Sequence, residues 1–213
     1  MKLVPNSGAD RVIDLLRPHL QPGGQLGCVT PALSLFAFAE LRHALASLAQ
    51  TQLILPPGNE ADEALEFLGS EGDRIHRNQL QARWLANQCA QWLSTGKVQV
   101  RRAPGRVPQG AAVLRASDGT AAQVVLGSFA FSTDGLGLTP GNPLNLIQAS
   151  ETAAEAAQLA QWFEHQWAAL RTQPESQGAL VAALRSRGAH QAPYAVYALI
   201  LHRLLGDRDE ALD

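Results

Sequence analysis

The sequence predicts an α/β fold in which helices flank a mixed sheet, with a helical extension at the C-terminal end. Three observations lead to this prediction. Short apolar runs bounded by Gly and Pro, typical of buried strands, alternate with helical periodicities over the first hundred residues. Strand-like segments then follow one another up to about residue 147. From residue 151 onward the pattern is helical only.

The first 57 residues predict two helices and two buried strands. Ser7, followed three residues later by Asp10, predicts the cap of an opening helix with apolar positions from Val12 to Leu20. Pro31 stands where a second helix would begin, because proline is favoured at a first helical position. The predicted segments after the opening helix are a strand at 25–30, a helix from about 31 to 49 and a strand at 52–55.

The remaining chain predicts a long helix, four strands and a helical end. A hairpin is expected around Asp118-Gly119, since Asp-Gly favours a two-residue turn. The structure of the acidic stretch 60–73 stays open. The predicted segments are a helix at 74–94, strands at 97–101, 111–114, 123–126 and 144–147, a loop at 129–143, and at least three helices over 151–212 divided at Pro174 and Pro193. We therefore expect an α/β domain at 1–150 and a helical extension at 151–213, packed on that domain or connecting to a following one.

Composition excludes several classes of protein. Of 213 residues, 46% are hydrophobic and 17% charged, which is typical of a folded chain and not of a disordered one. No stretch reaches 18 apolar residues without a charge, and the first residues lack an apolar signal region, so we expect no membrane span, no secretory signal and a cytoplasmic location. Cys28, Cys89 and the six histidines lack metal-ligand spacing, so we expect no disulfide framework, no metal site and no cofactor.

Positive charge is concentrated in one part of the chain. The stretch 74–117 holds eight basic residues and no Asp or Glu, although the net charge of the whole chain is −2. Of the 17 basic residues 15 are arginine, whose planar guanidinium can hold a phosphate through two parallel hydrogen bonds. Two interpretations stay open: a solvated helix face, or a phosphate-facing surface for nucleic acid.

Other motifs point away from common chemistries. Trp84, Trp92, Trp162 and Trp167 stand at helical spacing beside apolar neighbours, and we interpret them as core or helix-packing residues rather than a base-stacking platform. A Gly-rich phosphate loop with Lys and a Gly-x-Ser-x-Gly elbow are both missing from the sequence. The sequence therefore predicts neither a P-loop site nor a serine hydrolase.

One segment resembles a family signature. Residues 127–136 read Gly-Ser-Phe-Ala-Phe-Ser-Thr-Asp-Gly-Leu, and the strand before them begins Gln109-Gly110-Ala111. This resembles the half-site of the phospholipase D superfamily, in which a His-x-Lys strand is followed by a hairpin and then by Gly-Ser. In nuclease and helicase-associated members the motif extends to Gly-Ser-x-Asn-aromatic-Thr-x-x-Gly-Leu. The chain from Leu3 to the 193–199 segment is similar to the phospholipase D-like N-terminal module of bacterial Swi/Snf-type helicases, which implies a phospholipase D-like half-domain.

The resemblance places the family's catalytic positions on residues that cannot perform its chemistry. The family uses His as nucleophile on phosphorus and as general acid, with Lys and Asn holding the phosphate oxygens. At the matching positions this chain has Gln109 for His, Ala111 for Lys and Ala130 for Asn. We therefore predict no catalytic residues, because losing such a nucleophile removes orders of magnitude of rate. Gly127 and Ser128 are interpreted as structural, the first allowing close packing and the second capping the turn.

Three functions remain to be weighed. The first is a catalytically degenerate, helicase-associated module that binds or positions DNA or RNA. The second is a non-catalytic oligomerisation or interaction scaffold, and the least favoured is an active phosphodiesterase with displaced catalytic residues. The residues expected to contact nucleic acid are Arg101, Arg102, Arg106, Arg115 and Ser128.

The resemblance also implies partners. Active single-half members of the family pair two half-sites across a two-fold axis, so we expect a homodimer formed through the Gly127–Gly135 side. A helicase ATPase domain or subunit is the further expected partner. Because neighbouring strand residues point to opposite faces, at most one of Arg101 and Arg102 should face the site.

Overall fold

Seven strands form one mixed sheet within residues 1–57, 79–172 and 174–188, the part of the chain that the computed structural model describes. The strands are β1 (Lys2–Leu3), β2 (Gln25–Val29), β3 (Gln50–Leu55), β4 (Val98–Arg102), β5 (Gly110–Arg115), β6 (Ala121–Gly127) and β7 (Ile147–Ala149). Their order across the sheet is β1-β7-β6-β5-β2-β3-β4. β2, β3 and β4 are parallel, whereas the other neighbouring pairs are antiparallel.

Helices cover both faces of this sheet. They are α1 (Val12–Leu16), continued by a 3-10 turn (Arg17–His19), α2 (Leu35–Ser47), α3 (Gln79–Leu93), α4 (Ala153–Ala169) and α5 (Pro174–Gly188). On one face α4 packs against β5 and β6 through the stripe Ala156, Ala160, Phe163 and Trp167. Buried side chains of α1, α2, α3 and α5 share the larger core on the other face.

Helix α5 is fixed to the sheet by one glutamine. The Gln177 amide donates to the carbonyl oxygens of Leu93 and Val98 and accepts from the Val100 N–H at 3.2 Å. These bonds join α5 to the end of α3 and to the edge strand β4. The C-terminal helices thus pack on the α/β core, while the predicted division at residue 150 stays a prediction.

The predicted α/β class and mixed sheet are confirmed, with shifts at several boundaries. The second helix begins at Leu35 and not at Pro31. Ser34 is its N-cap, because the Ser34 hydroxyl accepts from the Phe36 N–H at 3.2 Å. The Ser34 N–H in turn donates to Phe131 O at 2.8 Å, so a contact with a distant loop determines where the helix starts.

The start of the chain also differs from the prediction. Ser7 does not cap the opening helix; it forms an isolated bridge with Asp10, and the helix covers only Val12–Leu16. The Val12 N–H instead donates to the Asn6 side chain at 3.0 Å. Strand β1 was not predicted, because two exposed residues carry no periodicity of their own.

The last predicted strand is displaced along the chain. Residues 144–147 were expected to form it, but β7 covers Ile147–Ala149. A turn holds the preceding residues away from the ladder, since Asn145 N–H donates to Asn142 O and Leu144 N–H donates to the Asn142 side chain. Leu144 is therefore 88% exposed.

Some predictions fall on residues outside the described ranges. These are the acidic stretch 60–73, the first residues of the helix predicted at 74–94, and the helical piece expected after Pro193. Among the described helices, none is both long and apolar enough to span a bilayer.

Candidate functional site

A row of paired residues crosses the sheet near the carboxyl ends of the parallel strands. Directly paired residues point to the same face of a sheet. For this row that face is the one under α4, because Arg101 stacks over Trp167 and Ile54 belongs to the α4 core. The row consists, in order across the sheet, of Arg101, Ile54, Val29, Ala111, Leu126, Gln148 and Leu3.

The motif residues meet beside the middle of this row, one residue beyond the Ala111–Leu126 pair. Gly110 pairs with Gly127 across β5 and β6, so the first residue before β5 and the first after β6 lie at the same edge of the sheet. These residues are Gln109 and Ser128, both exposed. The register thus brings together the two halves of the motif that the sequence separates by a hairpin.

Gly127 lies where two backbones approach closely. Its φ is 138°, a backbone conformation that residues other than glycine rarely adopt. A Cβ at this position would meet the Leu146 carbonyl oxygen and would lie 2.8 Å from the Ile147 Cα. The Ser128 N–H donates to Leu146 O at 2.9 Å, which holds this approach in place. The predicted close packing at Gly127 is therefore confirmed, and Ser128 contributes its backbone to the turn.

The loop after Ser128 is anchored from beneath. Thr30, at the end of β2, accepts from the Phe131 N–H at 2.8 Å and donates to Ala32 O at 2.6 Å. The Phe129 ring lies against Gly110, where an added Cβ would meet it at 3.1 Å. Ala130, which the resemblance aligns with an Asn, is half-buried between these anchors and carries no polar side-chain atom.

A cleft of about 380 Å³ opens beside Gln109, between the row, the β4–β5 loop and α4. Gln109 and Ala111 line it together with Arg106, so three of the residues singled out in the sequence converge there. The rest of its lining is mainly apolar: Val29, Ile54, Ala103, Pro104, Val107, Pro108, Leu126, Leu159, Trp162, Gln166 and Leu170. Arg106 is the one charged residue among the described residues that line the cleft.

Arg101 is bound to α4 rather than free in the cleft. Its guanidinium lies 4.3 Å from the centre of the Trp167 ring and donates to the carbonyl oxygens of Trp167 and Leu170. It also donates to the Thr172 hydroxyl at 3.2 Å. This side chain fixes the C-terminal end of α4 on the sheet.

Arg102 and Arg115 also donate to groups of the protein. Arg102 donates to Pro56 O at 3.1 Å, and its burial lowers its pKa from the usual range. Arg115 is 8% exposed and forms an ion pair of 2.8 Å with Glu164. Of the four arginines expected to contact nucleic acid, Arg106 alone presents an exposed side chain, and it does so in the β4–β5 loop.

The four tryptophans divide into two buried and two partly exposed side chains, so the interpretation as core or helix-packing residues is confirmed for the buried pair. Trp92 and Trp167 are buried, but Trp84 and Trp162 are 47% and 43% exposed. Each exposed ring lines a cavity: Trp162 the cleft, and Trp84 a groove between α2 and α3. The inward stripe of α4 has the spacing 156, 160, 163, 167, which leaves position 162 outside it; this spacing could have revealed the exposure.

No thiol or metal chemistry is indicated in the described part of the chain. Burial raises the pKa of Cys28 and of Cys89 to about 12, so both thiols stay protonated at neutral pH. The described residues also contain no group of three or more His, Cys, Asp or Glu placed to hold a metal ion.

Together the fold and the cleft define a mixed α/β protein with a shallow, mainly apolar cleft at the carboxyl edge of its sheet. Comparison of the chain with models of known protein families and with curated proteins gave no match. The likeness to the phospholipase D superfamily therefore depends on the motif at 109–136 alone.

Proposed function

We propose that this chain is a catalytically degenerate phospholipase D-like module that binds nucleic acid at the carboxyl edge of its sheet. The observation that carries the proposal is the pairing of Gly110 with Gly127. This pairing brings Gln109, Ala111 and Ser128 to one edge, which is consistent with the family's half-site, and the exposed cation of Arg106 lines the same cleft as Gln109 and Ala111. The expected partner protein is a helicase ATPase domain or subunit.

Binding without hydrolysis follows from the residues that line the cleft. Phosphodiester cleavage by this family needs a His nucleophile and cationic groups at the phosphate. The described lining residues include no His, Lys, Asp or Glu, and the matching positions carry an amide and a methyl group. An amide can donate to a phosphate oxygen but cannot form a phosphoenzyme.

Arg106 is the residue on which phosphate binding depends in this proposal. It is exposed in a loop between Pro104 and Pro108, so its guanidinium is accessible to a phosphate from solvent. A phosphate held by Arg106 releases condensed counterions, so affinity should fall with salt and depend little on base sequence.

Arg106→Glu is expected to weaken binding of a fluorescein-labelled DNA or RNA oligonucleotide by about tenfold or more, which is about 1.4 kcal/mol or more. The plot of log K against the logarithm of the salt concentration should become less steep, by about the amount expected when one phosphate contact is lost. Fluorescence anisotropy titrations at salt concentrations between about 50 and 200 mM measure both the affinity and its salt dependence.

Arg185→Glu is the matched control. Arg185 is exposed on α5, a helix packed on the opposite face of the sheet, and its reversal makes the same change in net charge. Equal losses in the two variants would mean that net charge and not the cleft governs binding. Arg102 is unsuited to this test, because its half-buried guanidinium holds the carbonyl of Pro56.

The oligomerisation scaffold has an observation of its own. Leu144 and Leu146 are 88% and 60% exposed, and Leu146 O accepts the Ser128 N–H at the motif edge. Leu3, 60% exposed, lies in the edge strand β1, which pairs with β7 directly after Leu146. Exposed aliphatic side chains grouped in this way are typical of interaction surfaces.

If this surface joins two copies, light scattering at high micromolar concentration should give a dimer mass. Leu144→Asp combined with Leu146→Asp should then give a monomer, because each buried leucine contributes about 1.5–3 kcal/mol. Ala157→Asp is the control, because Ala157 is exposed on α4. Leu15→Asp would not serve, because Leu15 packs on the core. A strictly monomeric wild-type mass would exclude the homodimer.

A further inference from the structure

We propose that the cleft receives the base of an unstacked nucleotide, so that the ligand of this module is a single-stranded nucleic acid. This inference rests on the proposed function and names its substrate class. It follows from the shape of the cleft, from one exposed aromatic ring and from the distribution of charge around it.

The size of the cleft suits a flat ring. Its volume of about 380 Å³ lies in the range of sites for small ligands. A base within a duplex is stacked on both sides and paired at its edge, and it reaches a recess only when it leaves the stack. Unpaired bases of a single strand enter such recesses without that cost.

Trp162 supplies the surface on which a base stacks. Trp162 is 43% exposed, and it lines the cleft together with the apolar side chains of Leu159 and Leu170. Trp167, on the same helix, is buried. The centre of its ring lies 6.2 Å from the centre of the Phe163 ring, and the Arg101 guanidinium covers it. The two tryptophans of α4 thus have different roles: Trp167 packs the core, and Trp162 faces the cleft.

Two amides and one cation complete the site. The side chains of Gln109 and Gln166 line the cleft, and each amide offers two donors and one acceptor to the edge of a base. No carboxylate is present among the described lining residues, and Arg106 is the charged one. This arrangement matches a neutral ring inside the cleft with a phosphate at Arg106, and not an acidic or basic peptide, which would carry its charge into an apolar recess.

Binding of a labelled 12-nucleotide single strand and of a hairpin duplex with the same base composition tests the inference. On the full chain, we expect the single strand to bind more tightly than the duplex. Trp162→Ala should weaken single-strand binding by about 5- to 150-fold, the range found for loss of one stacked base. Trp162→Phe should keep most of the affinity, because a phenyl ring still stacks.

Two further variants keep the test decisive. Trp84→Ala removes a tryptophan of similar exposure, 47%, that lines the groove between α2 and α3, and it should leave binding unchanged. Ala103→Phe adds a ring to the cleft wall while keeping Trp162, and it should weaken single-strand binding even if Trp162→Ala fails to fold. Circular dichroism of each variant establishes folding before binding is measured.

The outcomes separate this inference from the proposed function. If Arg106→Glu weakens binding but Trp162→Ala and Ala103→Phe do not, the module binds nucleic acid and the base-binding cleft is wrong. Equal affinity for strand and duplex would also overturn it. If neither oligonucleotide binds at low salt, the proposed function itself fails, and an interaction of the cleft with protein segments becomes the alternative to pursue.

Discussion

Gly127→Ala is expected to lower the free energy of unfolding by about 4 kcal/mol, as backbone strain of about 1–3 kcal/mol adds to overpacking of similar size. The added Cβ would meet the Leu146 carbonyl oxygen and the Ile147 Cα, and both belong to backbone that β6 and β7 hold in place. The residue would also have to keep a φ of 138°. Neither group can move without separating the two strands.

Urea unfolding followed by tryptophan fluorescence measures this loss. Gly119→Ala is the matched control, because Gly119 also has a positive φ, 85°, but an added Cβ there would find open space. That variant should lose only about 1–2 kcal/mol, the cost of the left-handed conformation. Similar losses in the free energy of unfolding of the two variants would show that the close approach at Gly127 adds nothing to the cost of the substitution.

Phe163→Ala is expected to cost about 3–5 kcal/mol, because it empties a fully buried ring site in the core beneath α4. The ring lies on Gly27 of β2: a Cβ at that position would be 2.7 Å from the Phe163 Cζ atom. Glycine at position 27 therefore makes room for phenylalanine at position 163. Gly27→Ala alone should cost about 1–3 kcal/mol through overpacking.

The two substitutions should compensate in a double-mutant cycle. The methyl group that Gly27→Ala adds would occupy part of the space that Phe163 leaves, so the double variant should be at least about 1 kcal/mol more stable than the sum of the single losses predicts. Gly27→Ala combined with Phe36→Ala, a buried ring on the other face of the sheet, should instead be additive. An additive Gly27–Phe163 cycle would contradict the contact.

The sequence predicted helices and strands well where apolar residues recur with a clear helical or strand periodicity. Strands β2, β3 and β5 consist mostly of buried positions, and their bounds differ from the predicted ones by no more than two residues. Helix α4 begins at Ala153, within two residues of the predicted start of the helical region at 151. Errors occurred where long-range contacts decide, as at Ser34 and around Asn142.

The candidate site was predicted in part. The sequence singled out Gln109, Ala111 and Arg106, and the structure places all three on the cleft. It also singled out Arg101, Arg102 and Arg115 by their charge, but charge alone does not show whether a guanidinium faces solvent or a carbonyl oxygen. Trp162 was missed because its apolar neighbours were considered without the stripe at 156, 160, 163 and 167, which leaves position 162 outside the buried face of α4.

The sequence by itself determined the α/β class, the order of most elements, the presence of Gln109 and Ala111 in the segment that resembles the phospholipase D motif, and the concentration of arginine at 74–117. These properties depend on local periodicity and on residue identity, which one chain displays directly. Only the tertiary structure decided that Gly110 pairs with Gly127, that Arg101 stacks on Trp167 and that Trp162 lines a cleft. Such facts depend on which strands become neighbours and in what register, and non-local packing free energy, rather than any local pattern, selects that arrangement.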